Sequence, residues 1–216
     1  MHIDIWSDIV CPWCYLGKRR IERALETFDH RAHVTIAHRS FQLDPSRPKG
    51  QTANRRQMLM AKYHLTPEQV QVMDEKMERM AAAEGLAYHL SAEGLTGNTF
   101  DAHRLMHLAK ARGLQDTMIE RLYRAYFGEQ RSIFDAASLA TLASEAGLDG
   151  AEAREVLASD VFGMDVIADL REARMLGVNG VPFFVIDDRY AVSGAQAVDV
   201  FRQALRHAWA ERVIAS

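Results

Sequence analysis

The sequence has no surplus of positive charge: 26 lysines and arginines stand against 29 aspartates and glutamates, a formal net charge of −3. Without a basic field there is nothing to draw in a polyanion, so no nucleic-acid partner is expected. No run of about 18 apolar residues occurs, which argues against a membrane span. The opening residues, Met1-His2-Ile3-Asp4-Ile5-Trp6-Ser7-Asp8, lack a cationic segment leading into an apolar stretch, and the expected location is the cytoplasm. There is no fixed-period repeat and no low-complexity linker. Cysteine is nearly absent, with only Cys11 and Cys14. In a reducing compartment two thiols spaced C-x-x-C are redox-active or metal-binding in preference to forming a structural disulfide. Tetrahedral zinc needs four ligands, and no further cysteine exists to supply them. His103 and His107 have i, i+4 spacing, but Arg104 stands where a zinc hydrolase helix carries glutamate, so no metal is expected.

What remains is ordinary globular composition, 48% hydrophobic and 25% charged over 216 residues, enough to bury a core without external staples. Residues 3–7 alternate apolar and polar as a short strand. A helical pattern follows from Pro12 to about Phe28, with Tyr15, Ile21, Leu25 and Phe28 near one face. His33 to Phe41 alternates again. Strand, helix, strand is a parallel βαβ unit with C-x-x-C opening its helix. After a loop containing Pro45, Pro48 and Gly50, the middle of the chain reads as helix after helix. Thr66-Pro67-Glu68-Gln69 is a capping box with proline at the first helical position, and Asn98 is positioned to cap a helix ending before Gly113. Further helices are expected at about 115–127, 136–146, 150–158 and 161–176. Strand patterns return at 182–186 and 190–192, and a last amphipathic helix runs from Val198 to Ile214. The expected fold is α/β and thioredoxin-like, formed by residues 1–44 and 177–216, with residues 45–176 as an all-helical insertion domain.

Positions 11 and 14 lie about one helical turn apart, within reach of the ~4.4–6.8 Å Cα separation of a disulfide. Cys11, at the helix amino end, faces unpaired N–H groups and the positive end of the dipole, which stabilise a thiolate. It is the expected nucleophile. Cys14, one turn deeper, is the expected resolving thiol, which attacks the mixed disulfide and releases the partner.

Ser7-Asp8-Ile9-Val10-Cys11-Pro12-Trp13-Cys14-Tyr15-Leu16-Gly17 resembles the DsbA family, and within it the cytoplasmic FrnE-type oxidoreductases. Gly97-Asn98-Thr99-Phe100-Asp101-Ala102-His103-Arg104 resembles the helical-domain signature of that group. Gly177-Val178-Asn179-Gly180-Val181-Pro182-Phe183-Phe184 resembles its cis-proline loop, and the likeness spans essentially the whole chain. It implies that Val181-Pro182 is cis and faces Cys11, where an extended substrate pairs with the Val181 main chain. Spacing alone leaves Pro182 equally well explained as the first residue of a strand. One departure matters: Trp13 replaces the histidine between the cysteines of periplasmic DsbA proteins, so their strongly oxidising potential does not transfer.

The function expected is thiol-disulfide exchange, reduction or isomerisation on protein or small-molecule thiols and disulfides. No bound cofactor is expected, the Cys11–Cys14 pair itself being the redox centre. Glutathione is a candidate co-substrate, the glutathione or thioredoxin system the expected source of electrons, and a homodimer is compatible. Kappa-class glutathione transferases and hydroxychromene-carboxylate isomerases resemble the same region but generally carry serine at the position of Cys11. A redox-silent holdase using the helical insertion is a third reading. Asp8 is a candidate proton relay to the buried thiol, while Asn98 and His103 are site candidates through resemblance alone. Met73, Met77 and Met80 form a stripe read as core, and Lys18, Arg19 and Arg20 are read as a solvated helix face.

Overall fold

The computed structural model describes residues 1–214. Strand β1 (His2–Ser7) is central, pairing in parallel with β2 (Thr35–Ser40) and antiparallel with β5 (Phe183–Ile186), which pairs antiparallel with β6 (Tyr190–Ser193). The sheet order is therefore β2-β1-β5-β6. Alternation along β1 sends Ile3 and Ile5 to one face. There they join Ile21, Ala24 and Leu25 of α1 (Pro12–Glu26), Phe184 and Ile186, and Phe201, Leu205 and Ala208 of α9 (Val198–Ile214). Trp6 points to the other face, with Ala173, Val178 and Val185.

The chain divides into two compact units, Met1–Phe41 with the chain from Ala168 onward, and Gln42–Ile167. The second junction lies nine residues before the expected start at 177. The reason is in helix α8 (Gly163–Met175), whose second half belongs to the sheet unit. Asp169 accepts the Ser40 N–H at 2.8 Å and a 3.3 Å bond from Arg39, and its carbonyl takes the Trp6 indole N–H at 3.1 Å.

The Gln42–Ile167 unit holds α2 (Arg55–Tyr63), α3 (Pro67–Ala83), α4 (Phe100–Ala111), α5 (Gln115–Tyr123), α6 (Ala136–Glu145) and α7 (Gly150–Leu157). It is not all-helical, which corrects the expectation: β3 (Thr52–Asn54) pairs antiparallel with β4 (Leu95–Gly97). Gly97 is required there, since a Cβ would lie 2.7 Å from the Phe134 ring. Three-residue strands carry too little alternation to be read from sequence. The helix expected to run to 127 changes at its last turn into a π-helix, Arg124–Gly128. The capping box forms as expected, Thr66 and Gln69 each accepting from the other's backbone N–H. Asn98 sits one residue outside the cap position of α4, which Thr99 takes, and from there accepts the Phe100 N–H at 2.8 Å.

Candidate active site

Strand β1 ends at Ser7, and a turn closed by the Cys11 N–H on the Asp8 carbonyl (3.1 Å) delivers the chain to α1. Cys11 is the N-cap, in extended geometry (φ −89°, ψ 110°), and Pro12 occupies the start of the helix, where its missing N–H costs no bond. The cap residue makes no side-chain bond to the first turn. The Cys11 sulfur thus sits at the electropositive end of a 15-residue helix. Its thiol donates to the Val181 carbonyl at 3.4 Å. The bond from Val181 to Pro182 is cis.

Both cysteines are free thiols, Cys11 4% and Cys14 1% exposed. Burial pushes the Cys14 thiol well above the usual range; a hydrogen bond with Cys11 and repulsion from its sulfur add to this, and a backbone hydrogen bond from Asp8 opposes it. Burial and the neighbouring sulfur thus favour the protonated form of Cys14. Trp13, between them, is 43% exposed beside two buried neighbours.

The loop opposite Cys11 is held closely. A Cβ at Gly17 would meet Pro182 Cγ at 2.8 Å and Phe184 Cζ at 3.3 Å, so glycine lets α1 lie against the proline ring. The Pro182 carbonyl accepts the Gly194 N–H at 2.8 Å.

Asp8 is 1% exposed, and its charge raises the Cys14 thiol, so among the weaker candidates it stands at the pair. Asn98 and His103 belong to the Gln42–Ile167 unit. There Asn98 ties the Arg47 carbonyl (2.6 Å) and Gln42 (3.2 Å), and His103 is 3% exposed in α4. The basic run is not a solvated face: Lys18 is 3% exposed, with its ammonium on Glu22, and Arg20 reaches the Ala195 carbonyl at 2.7 Å. Of the methionine stripe Met77 is core, whereas Met73 is 38% exposed. Sequence reading gave Arg104 no role, yet it is buried and fully engaged, bonding Asp101 and the carbonyls of Val156, Ser159 and Val161. Only the i, i+3 pairing with Asp101 is visible in its spacing; its other partners are main-chain groups more than fifty residues away.

A family model described as DSBA-like thioredoxin domain matches residues 2–206. The chain belongs to that family. Within the DSBA-like family it is 50% identical to a probable DsbA oxidoreductase from Streptomyces coelicolor, whose crystal structure superposes with a TM-score of 0.95 over 98% of this chain and 91% of that one. It is also 30% identical over 207 residues to the uncharacterized protein YwbO of Bacillus subtilis, covering 95% of this chain and 96% of that protein. A 2-hydroxychromene-2-carboxylate isomerase covers the full length of both chains with a TM-score of 0.68, but at 18% identity that likeness concerns the fold alone. Among the described residues of this DSBA-like chain, no helix is long and apolar enough to cross a membrane.

Proposed function

We propose that this DSBA-like protein is a dithiol-disulfide oxidoreductase with Cys11 as nucleophile and Cys14 as resolving thiol. The Cys11 thiolate attacks a substrate disulfide, forming a mixed disulfide and releasing one substrate sulfur, which takes up a proton. Cys14 then gives up its proton and attacks the Cys11 sulfur. The second substrate thiol leaves, and Cys11–Cys14 closes as a disulfide, two electrons and two protons having passed to the substrate. Glutathione or a dithiol of the thioredoxin type restores the pair, and the two sulfurs do the chemistry without a bound cofactor.

The observation that carries this reading is the Cys11 sulfur at the head of α1, 3.4 Å from the Val181 carbonyl, with the buried Cys14 thiol one turn along the same helix. That carbonyl belongs to a main-chain edge to which an extended disulfide substrate can add as a strand. In this reading Asp8 accepts the Cys14 proton at the resolving step, which its burial and its electrostatic effect on that thiol support. The resemblance of the motif around Cys11 supports reading the protein as a FrnE-type oxidoreductase of the cytoplasm.

Insulin reduction in the presence of glutathione tests the assignment. Activity is expected to vanish in Cys11→Ser, and Cys14→Ser is expected to accumulate a mixed disulfide through Cys11, visible as added mass that a reductant removes. Full activity in Cys11→Ser would overturn the reading. Turnover of a hydroxychromene carboxylate that survives in Cys14→Ser, without dithiol exchange, would replace it with the isomerase reading.

A further inference from the structure

The segment after β6 braces the loop that faces Cys11. Gly194 adopts a left-handed φ of 80° and donates its N–H to the Pro182 carbonyl at 2.8 Å. The next residue, Ala195, presents its carbonyl to Arg20 Nη1 at 2.7 Å. A Cβ on Gly17 would lie 3.5 Å from Ala195 and 2.8 Å from the proline ring. Gly17 and Arg20, three residues apart, share one face of α1, and α1 is the helix capped by Cys11. The helix that presents the nucleophile therefore grips the opposing loop at two points, by the missing side chain at 17 and by a charge-assisted bond at 20. The linkage runs from Arg20 to Ala195, along one peptide to Gly194, across to Pro182, and on to Val181, whose carbonyl meets Cys11.

We propose that Arg20 is a positioning residue for disulfide exchange: it fixes the Val181 main chain relative to the Cys11 sulfur and so sets how well an extended disulfide substrate is aligned for attack. The proposal rests on the dithiol reading above. Thiolate attack needs the incoming sulfur close and aligned, and small displacements of the supporting shell are costly in rate. A substrate that pairs with the Val181 main chain feels such a displacement. A small disulfide that meets only the Cys11 sulfur does not.

The test compares two substrates: 5,5′-dithiobis(2-nitrobenzoate), which has no main chain to pair, and a peptide extended on both sides of its disulfide. Arg20→Met keeps the alkyl stem and removes the guanidinium. It is expected to lower kcat/KM for the peptide about tenfold, mostly through kcat, and to leave the reaction with the aromatic disulfide unchanged. Arg20→Lys, which retains a charged donor, is expected to recover most of the loss. Equal losses on both substrates, or no loss on the peptide, overturn the proposal. If the unsubstituted protein reduces neither substrate, the dithiol reading itself fails and the proposal fails with it, a result distinct from the other two.

Discussion

At Cys14 burial and chemistry pull in opposite directions. The thiol is 1% exposed, and removal from water, reinforced by the adjacent Cys11, favours its protonated form. In the mixed disulfide proposed above, the Cys11 sulfur carries no charge, and the Coulombic part of the upward push on Cys14 is absent. The same shift links folding to pH. A proton held more tightly in the folded than in the unfolded chain stabilises the fold fully below the ordinary thiol range, about pH 8.5, and that stability is lost as pH rises from there through the folded value. Urea midpoints of the reduced protein are therefore expected to fall between pH 7.5 and about pH 10 more steeply than those of Cys14→Ala, compared as slopes against pH. Parallel slopes would show that the thiol is not held in its protonated form. The residue pattern that announces this site, C-x-x-C at a helix start, was legible from spacing and helix polarity. Which cationic side chains are buried was not. Lys18 and Arg20 look like any solvated basic run, and only the chain packed beside α1 decides their environment.

Single elements follow local rules where those rules are strong. Helix α3 begins at Thr66-Pro67-Glu68-Gln69, with both reciprocal bonds of the capping box formed. Thr66→Ala removes the acceptor for the Gln69 N–H and is expected to cost about 1 kcal/mol, typical for loss of a cap. That corresponds to a melting temperature lower by roughly 2–4 °C for a chain of this size. Amide exchange should quicken first in the opening turn of α3, and unchanged exchange there would refute the role of the box. Elements written in weak local signals behaved differently. Strands β3 and β4 have three residues each, too few for alternation to announce them, and Gly97 in β4 lies where a Cβ would meet the Phe134 ring. The π turn at Arg124–Gly128 likewise has no sequence signature, because it answers to packing around Phe127, which is 1% exposed against Tyr88, Tyr123 and Tyr126.

For the molecule as a whole, the sheet unit is assembled from both ends of the chain, and Asp169 is one of the residues that joins them. Buried at 3% exposure, it meets Arg39 and the Ser40 N–H across 130 and 129 residues of sequence. Removing Asp169 leaves Arg39 its bond to Asp4 at 2.5 Å but takes from the buried Ser40 N–H its 2.8 Å bond to the carboxylate. Asp169→Ala is expected to destabilise the protein by about 3 kcal/mol, toward the lower end for breaking a buried charged network. The melting temperature should then fall by roughly 6–12 °C, with Asp169→Asn, which keeps one acceptor oxygen, recovering part of it. A thermal scan following near-UV dichroism of Trp6, whose indole N–H bonds the Asp169 carbonyl, reads this directly; an unshifted transition would remove Asp169 from the account.

The sequence by itself determined the βαβ opening, the cysteine pair at the head of its helix, the capping box that opens α3 and the closing ββα. Each is written in neighbours within about one turn or one alternation of each other, where backbone geometry alone fixes the outcome. Only the tertiary structure decided that β5 runs antiparallel beside β1, so that Val181 reaches Cys11 across 170 residues, that α8 is shared between the two units, and that Gly17 and Arg20 brace the opposing loop. Those contacts join segments remote in sequence. They arise from burying two faces of one sheet at once, a condition that no local stretch of residues encodes.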